Sequence, residues 1–206
     1  MGEAQKFVDQ EVRDDTGAKL GMWLFILSEL TLFGGMFILY SIYRYKNPTD
    51  FHYASRELDV ILGTFNTLIL LTSSLTVVAS IAAIRKGNCK SSMVLLMATM
   101  VLGLLFLLIK GFEWGAKIGQ GIYPNSPILL ARPKGDILFF GLYYVVTGLH
   151  GFHVLVGIGI LSVMLILIAK KKINPMRFIL LENSGLYWHL VDIIWIFLYP
   201  LFYLIS

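Results

Sequence analysis

GLYYVVTGLHGFHVLVG, residues Gly141 to Gly157, is apolar enough to cross a bilayer, yet it holds two histidines, His150 and His153, one helical turn apart. A second apolar run, Tyr187-Trp188-His189-Leu190-Val191-Asp192, places another histidine and an acid at comparable depth, and a third, LFILSELTLFGG, encloses Glu29. Ionisable groups are costly in hydrocarbon, so each of them is a candidate for function.

Composition supports a membrane reading. Of the 206 residues 57% are hydrophobic and 15% charged, and the mean hydropathy is +0.74. Soluble domains are about 45–50% apolar and about 25% charged. The net charge of +4 comes from cations in the loops, which is a topology signal and not a nucleic-acid footprint, so no nucleic-acid partner is expected. Cys89 is the sole cysteine, which excludes an internal disulfide. The N-terminus has no basic start followed by an apolar core and a small-residue cleavage site, so no removable signal peptide is expected.

Outward from the opening stretch, the pattern predicts an all-α membrane protein with five transmembrane helices. The spans are expected at about residues 19–43, 58–84, 93–116, 137–169 and 178–205. Residues 1–17 form a polar tail, an interfacial helix or flexible arm, and 18–206 one bundle. Asn47-Pro48 breaks the chain after span one, and 48–57 reads as a polar loop. The longest loop, 118–135, carries Pro124, Pro127 and Pro133 and reads as a surface excursion. Span two is rich in Ser and Thr, which permit close approach and hydrogen bonding between helices. Span four exceeds the ~20 residues that a ~30 Å core requires, so it tilts or projects. Pro200 should cause at most a local kink in span five.

The cations set the orientation. Lys6, Arg13, Lys19, Arg85, Lys86, Lys90, Lys170, Lys171, Lys172 and Arg177 fall on one side. The smaller set Arg44, Lys46, Arg56, Lys117, Arg132 and Lys134 falls on the other. The richer side is expected to be cytoplasmic, placing the N-terminus in the cytoplasm and the C-terminus in the periplasm.

At ~1.5 Å per residue, Glu29 lies ~15 Å above the start of its span, and His150 and His153 lie ~20–24 Å below the start of theirs. Acid and imidazoles therefore meet at overlapping levels, and Glu29 is expected to pair with His153, or else with His150. Gly148, Gly151, Gly157 and Gly159 should clear one side of that helix for a tight crossing. In span five Trp188, Asp192 and Trp195 share a face, and an indole or a neighbouring histidine should give Asp192 its donor. Glu113 and Glu182 read as interfacial anchors near helix ends. Three buried histidines cannot make two axial haem pairs. A copper site of His150, His153 and His189 is conceivable by geometry, but no other ligand type supports it, so no metal site is expected. There is no phosphate-binding glycine loop, paired-cysteine motif or nucleophile elbow, and no catalytic residue is assigned.

The run Gly148-Leu149-His150-Gly151-Phe152-His153-Val154, followed by YWHLVDIIWIFLY (Tyr187 to Tyr199), resembles subunit III of the haem-copper oxidases. WLFILSELTLFGGMF resembles that family's helix with a buried, carbodiimide-reactive glutamate, which falls on Glu29. NTLILLTSSLTVVAS (Asn66 to Ser80) and Lys110-Gly111-Phe112-Glu113-Trp114 also fit. The likeness covers residues 20–205 and is to the five-helix bacterial form, without the two further N-terminal spans of the long form.

The resemblance implies an accessory subunit of a proton-pumping terminal oxidase of the bacterial inner membrane, of cytochrome c oxidase type. Such a subunit binds no redox metal itself, haem and copper residing in partner subunits. It packs on catalytic subunit I, with subunit II in the same complex, holds phospholipids, and supports proton uptake and durability in turnover. Glu29 carries over as the buried acid with His150 and His153 around it. Glu113, Tyr187, Trp188, His189, Asp192 and Trp195 carry over as a core and lipid-facing polar cluster. The alternatives are subunit III of a quinol oxidase, an accessory subunit of nitric oxide reductase, a di-haem membrane cytochrome, and a proton or solute carrier using Glu29 and His153.

Overall fold

In a computed structural model, residues 2–175 and 178–204 are described, with side chains from Thr16 onward. Arg177, the side chains of Lys6 and Arg13, and Ile205 at the end of span five lie outside these. Apart from its connections the described chain is helical, in the order α1 (Gly2–Lys46), α2 (Pro48–Arg56), α3 (Val60–Arg85), α4 (Cys89–Gly119), α5 (Pro127–Leu130), α6 (Lys134–Ala169) and α7 (Ile179–Tyr199), closed by a π-helical turn, Pro200–Leu204.

Five helices are long and apolar enough to cross a membrane: Thr16–Lys46, Val60–Arg85, Cys89–Gly119, Lys134–Ala169 and Ile179–Leu204. Each expected span has its helix: the first, third and fourth run about a turn longer at one or both ends, while the second and fifth begin within two residues of the expected start. The tail continues α1 as helix from Gly2. At ~1.5 Å per residue, 45 residues exceed a ~30 Å core twofold, so the first part of α1 projects from it. The central helix is α7, with 56% of its most apolar stretch buried, whereas α1, at 6%, lies on the flank.

Three local expectations need correction. The stretch 48–57 is not a loop: Pro48 occupies the first turn of α2, where its missing N–H costs nothing. Phe51 and Ala54 are one turn apart and both buried, and the Phe51 ring meets Tyr40 at 5.4 Å and Phe139 at 5.5 Å. The long loop contains the one-turn α5, and Ile122 and Leu129 fasten it to the core. Pro200 changes the helix type instead of kinking it. Its ring and missing N–H end the α-helical ladder, and the wider π turn carries Phe202 and Tyr203 inward.

The hydroxyls of span two pack as expected. α3 and α4 form a hairpin, turned at Gly87 with φ +79° and capped where Asn88 Oδ1 accepts from Ser91 N at 3.1 Å. Along the seam Ser80 Oγ donates to the Ser92 carbonyl at 3.0 Å, and Thr76 Oγ1 and Thr99 Oγ1 lie 2.8 Å apart. Two glycines receive the largest core side chain: a Cβ on Gly103 would come within 2.7 Å of the Trp188 ring, and one on Gly157 within 2.8 Å. Gly148 and Gly151 likewise face Trp114 and Leu107, but Gly159 meets nothing within 4 Å.

Candidate functional site

Three polar centres lie inside the bundle. The first joins α1 to α6. His153 Nδ1 lies 2.8 Å from the Leu149 carbonyl, and Nε2 lies 3.0 Å from Glu29 Oε2. A carbonyl only accepts, so Nδ1 carries a proton. A neutral ring would then turn a lone pair towards the carboxyl. The approach is attractive only if the pair holds one further proton, on Nε2 or on the acid. Oε2 is buried without an aligned hydrogen bond, so this is a close ion-pair-type approach. The Phe33 ring, 5.5 Å from the imidazole, helps keep water away.

His150 does not share this partner. It is fully buried towards α4 and α7, edge-on to Phe106 at 5.6 Å and tilted against Trp195 at 5.1 Å. Neither ring nitrogen has a hydrogen-bond partner. Its place in the expected Glu29 cluster is thus corrected: three residues along a helix turn the side chain through 300°, enough here to point the two rings at different neighbours.

The second centre is built on Glu113, which the resemblance placed in a core polar cluster but whose partners the sequence did not reveal. Glu113 is not an interfacial anchor; it is 5% exposed, and Lys110 beside it 8%. Lys110 Nζ donates to Glu113 Oε2 at 2.9 Å, while Tyr143 and Tyr203 donate to Oε1 at 2.8 and 2.5 Å. Lys110 also donates to the Tyr203 hydroxyl and lies 4.8 Å from the Trp195 ring centroid. The carboxylate, the hydroxyl and the ring face named here each favour the cation. α4 runs to Gly119, so Lys110 sits ~13 Å from the helix end, beyond easy snorkelling. The i,i+3 spacing of an acid and a base flanked by aromatics was the available signal. Its partner Tyr203 depends on the π turn, which no local pattern announces. Glu182 does lie near a helix end, paired with Arg85.

The third centre is a ladder between α3 and α7. Trp188 Nε1 donates to Ser73 Oγ at 3.0 Å, and Trp195 Nε1 to Thr67 Oγ1 at 3.1 Å. His189 Nδ1 lies 2.5 Å from Ser74 Oγ, and the Tyr199 and Thr64 hydroxyls 2.6 Å apart. The indoles and His189 therefore bond to α3 hydroxyls and not to Asp192, as had been expected. Asp192, 3% exposed, has no aligned partner on either oxygen. Tyr187 faces the first centre instead, donating to the His153 carbonyl at 3.0 Å.

Beyond these, a polar belt ties the loops together at one end. Arg132 bonds Glu57 at 2.6 Å, Lys117 donates to the Glu57 carbonyl at 2.5 Å, and Asp50 accepts from Gly135 N at 3.0 Å. Among the described residues no group of three or more His, Cys, Asp or Glu side chains is placed to hold a metal ion. His150, His153 and His189 point to three different neighbours.

Fold and site together define a multi-pass helical membrane protein with ionisable groups buried in its bundle, of which Glu29 and His153 meet across a helix contact. A family model described as cytochrome c oxidase subunit III matches residues 3–206. Cytochrome c oxidase subunit 3 of Alkalihalophilus pseudofirmus is 34% identical over 192 residues, 91% of this chain and 86% of that protein. The probable quinol oxidase subunit 3 of Staphylococcus haemolyticus is 28% identical over 206 residues, 100% of this chain and 98% of that protein. A haem-copper oxidase subunit I+III of Aeropyrum pernix is 28% identical over 191 residues, 89% of this chain but 22% of that longer protein. The chain belongs to the cytochrome c oxidase subunit III family: it is subunit III of a haem-copper oxidase of the cytochrome c or quinol type.

Proposed function

We propose that this chain is the metal-free accessory subunit of a proton-pumping oxidase of the bacterial inner membrane, with the N-terminus cytoplasmic. It packs on catalytic subunit I beside subunit II, binds phospholipids, and supports proton uptake and stability during turnover. The observation that carries this reading is the Glu29–His153 pair at membrane depth, a proton-holding contact that joins the flanking helix α1 to the bundle. The Aeropyrum relative, whose name joins subunits I and III in one chain, supports subunit I as the neighbour. The outer faces of α1 and α6, with Trp23, Leu24, Phe152 and Leu155 exposed, offer apolar surface for lipid tails.

The test is Glu29→Ala in the assembled oxidase. The initial rate of oxygen consumption should stay near wild type while the number of turnovers before inactivation falls several-fold. Immediate collapse of electron transfer with subunit I intact would contradict a supporting role.

A further inference from the structure

Asp192 takes no part in the contacts assigned above. It sits on the central helix, 3% exposed, with both carboxyl oxygens lacking an aligned partner. An unpaired carboxylate at this depth is strongly disfavoured, whereas the neutral acid is tolerated. The neutral acid has one O–H to give.

Asp192 lies one turn of α7 from His189, on the face of that helix that meets Ser74 of α3. No aligned hydrogen bond joins the two, but the Ser74 hydroxyl is 2.5 Å from His189 Nδ1. His189 in turn lines a groove of about 640 Å³ between α1, α3 and α7. The charged residues of that groove are Lys19, Arg85, Lys86 and Glu182. Arg85, Lys86 and Glu182 lie at the ends of α3 and α7, so the groove leads from a polar mouth to the imidazole.

We propose that Asp192 is a proton-exchanging site reached from this groove through His189 and Ser74, separate from the Glu29–His153 pair. The chemistry is internally consistent. With Ser74 donating to Nδ1, the neutral His189 carries its proton on Nε2. Outward transfer moves the Asp192 proton to Ser74 Oγ as Ser74 gives its own to Nδ1. This leaves a carboxylate, an unchanged hydroxyl and an imidazolium. The imidazolium then releases its Nε2 proton at the groove. One proton leaves Asp192, one leaves the chain, and reversal restores the start. The ligand is the proton alone, so neither a metal nor a second substrate is required.

Infrared absorption of the full chain in lipid nanodiscs tests this without the oxidase partners. The wild-type chain should show a protonated-carboxyl carbonyl band that Asp192→Asn removes and that shifts on transfer to heavy water. If Asp192→Asn fails to insert, isotope-labelled aspartate in the wild-type chain identifies the band. Ser74→Ala should slow deuteration of that band by roughly tenfold or more, the rate ratio set by one missing transfer step. Ser74→Thr, which keeps the hydroxyl, should restore it. Absence of an aspartyl band would overturn the proposal, as would exchange in Ser74→Ala at the wild-type rate.

Discussion

Replacing Glu113 by Leu should be among the most damaging single changes in this bundle, and adding Lys110→Met should largely repair it. Glu113 accepts from Lys110, Tyr143 and Tyr203, all buried. Without it the Lys110 ammonium, 8% exposed, keeps only the Tyr203 hydroxyl and ring faces. Removing one partner of a buried pair costs about 3–5 kcal/mol, because the other charge stays buried and uncompensated. That corresponds to roughly a hundred- to several-thousand-fold in the folding equilibrium, at about 1.4 kcal/mol per factor of ten. The double variant removes both charges and leaves apolar side chains of similar size. Its cost should fall to about 1–2 kcal/mol, from the tyrosine hydroxyls left without their acceptor. Unfolding of the chain in mixed micelles with increasing denaturing detergent gives all four corners of the cycle. The reasoning fails if Glu113→Leu costs under about 1 kcal/mol, or if the double variant costs the sum of the two single changes.

Gly157→Ala should destabilise by about 1–3 kcal/mol in the same assay, because its Cβ would press on the Trp188 ring, while Gly159→Ala, which meets nothing, should change stability by under about 0.5 kcal/mol. Across the α3–α4 seam a Ser80→Ala, Ser92→Ala cycle should give a coupling of about 0.6 kcal/mol, the usual size of a hydrogen bond between membrane helices.

The five spans were legible because hydropathy and length set them with little help from tertiary contacts. The Glu29–His153 contact was legible for a similar reason. Two ionisable groups at overlapping depth have few other places to go, and counting residues along each helix fixes the depth. What sequence did not reveal depended on azimuth and on helix ends. His150 was grouped with His153 by spacing, yet the ~60° between them is enough for it to pack on Phe106 and Trp195 instead of meeting Glu29. Glu113 was read as an anchor near a helix end, although α4 runs on to Gly119 and the side chain turns into the core. Pro48 was read as a break when it also begins α2, and Pro200 as a kink when it opens a π turn. Asp192 was assigned a donor that α3 hydroxyls claim instead, because the competition for the indoles is decided by which helix faces α7.

The account rests on this chain being a redox-inactive partner of an oxidase. Affinity purification through a tag on this chain in mild detergent measures that most directly. The catalytic subunit of a haem-copper oxidase should co-purify with its haem absorbance. After the partners are stripped, the folded chain should retain no Soret band. Haem or copper held by the isolated chain, or a preparation without an oxidase subunit, would contradict the account.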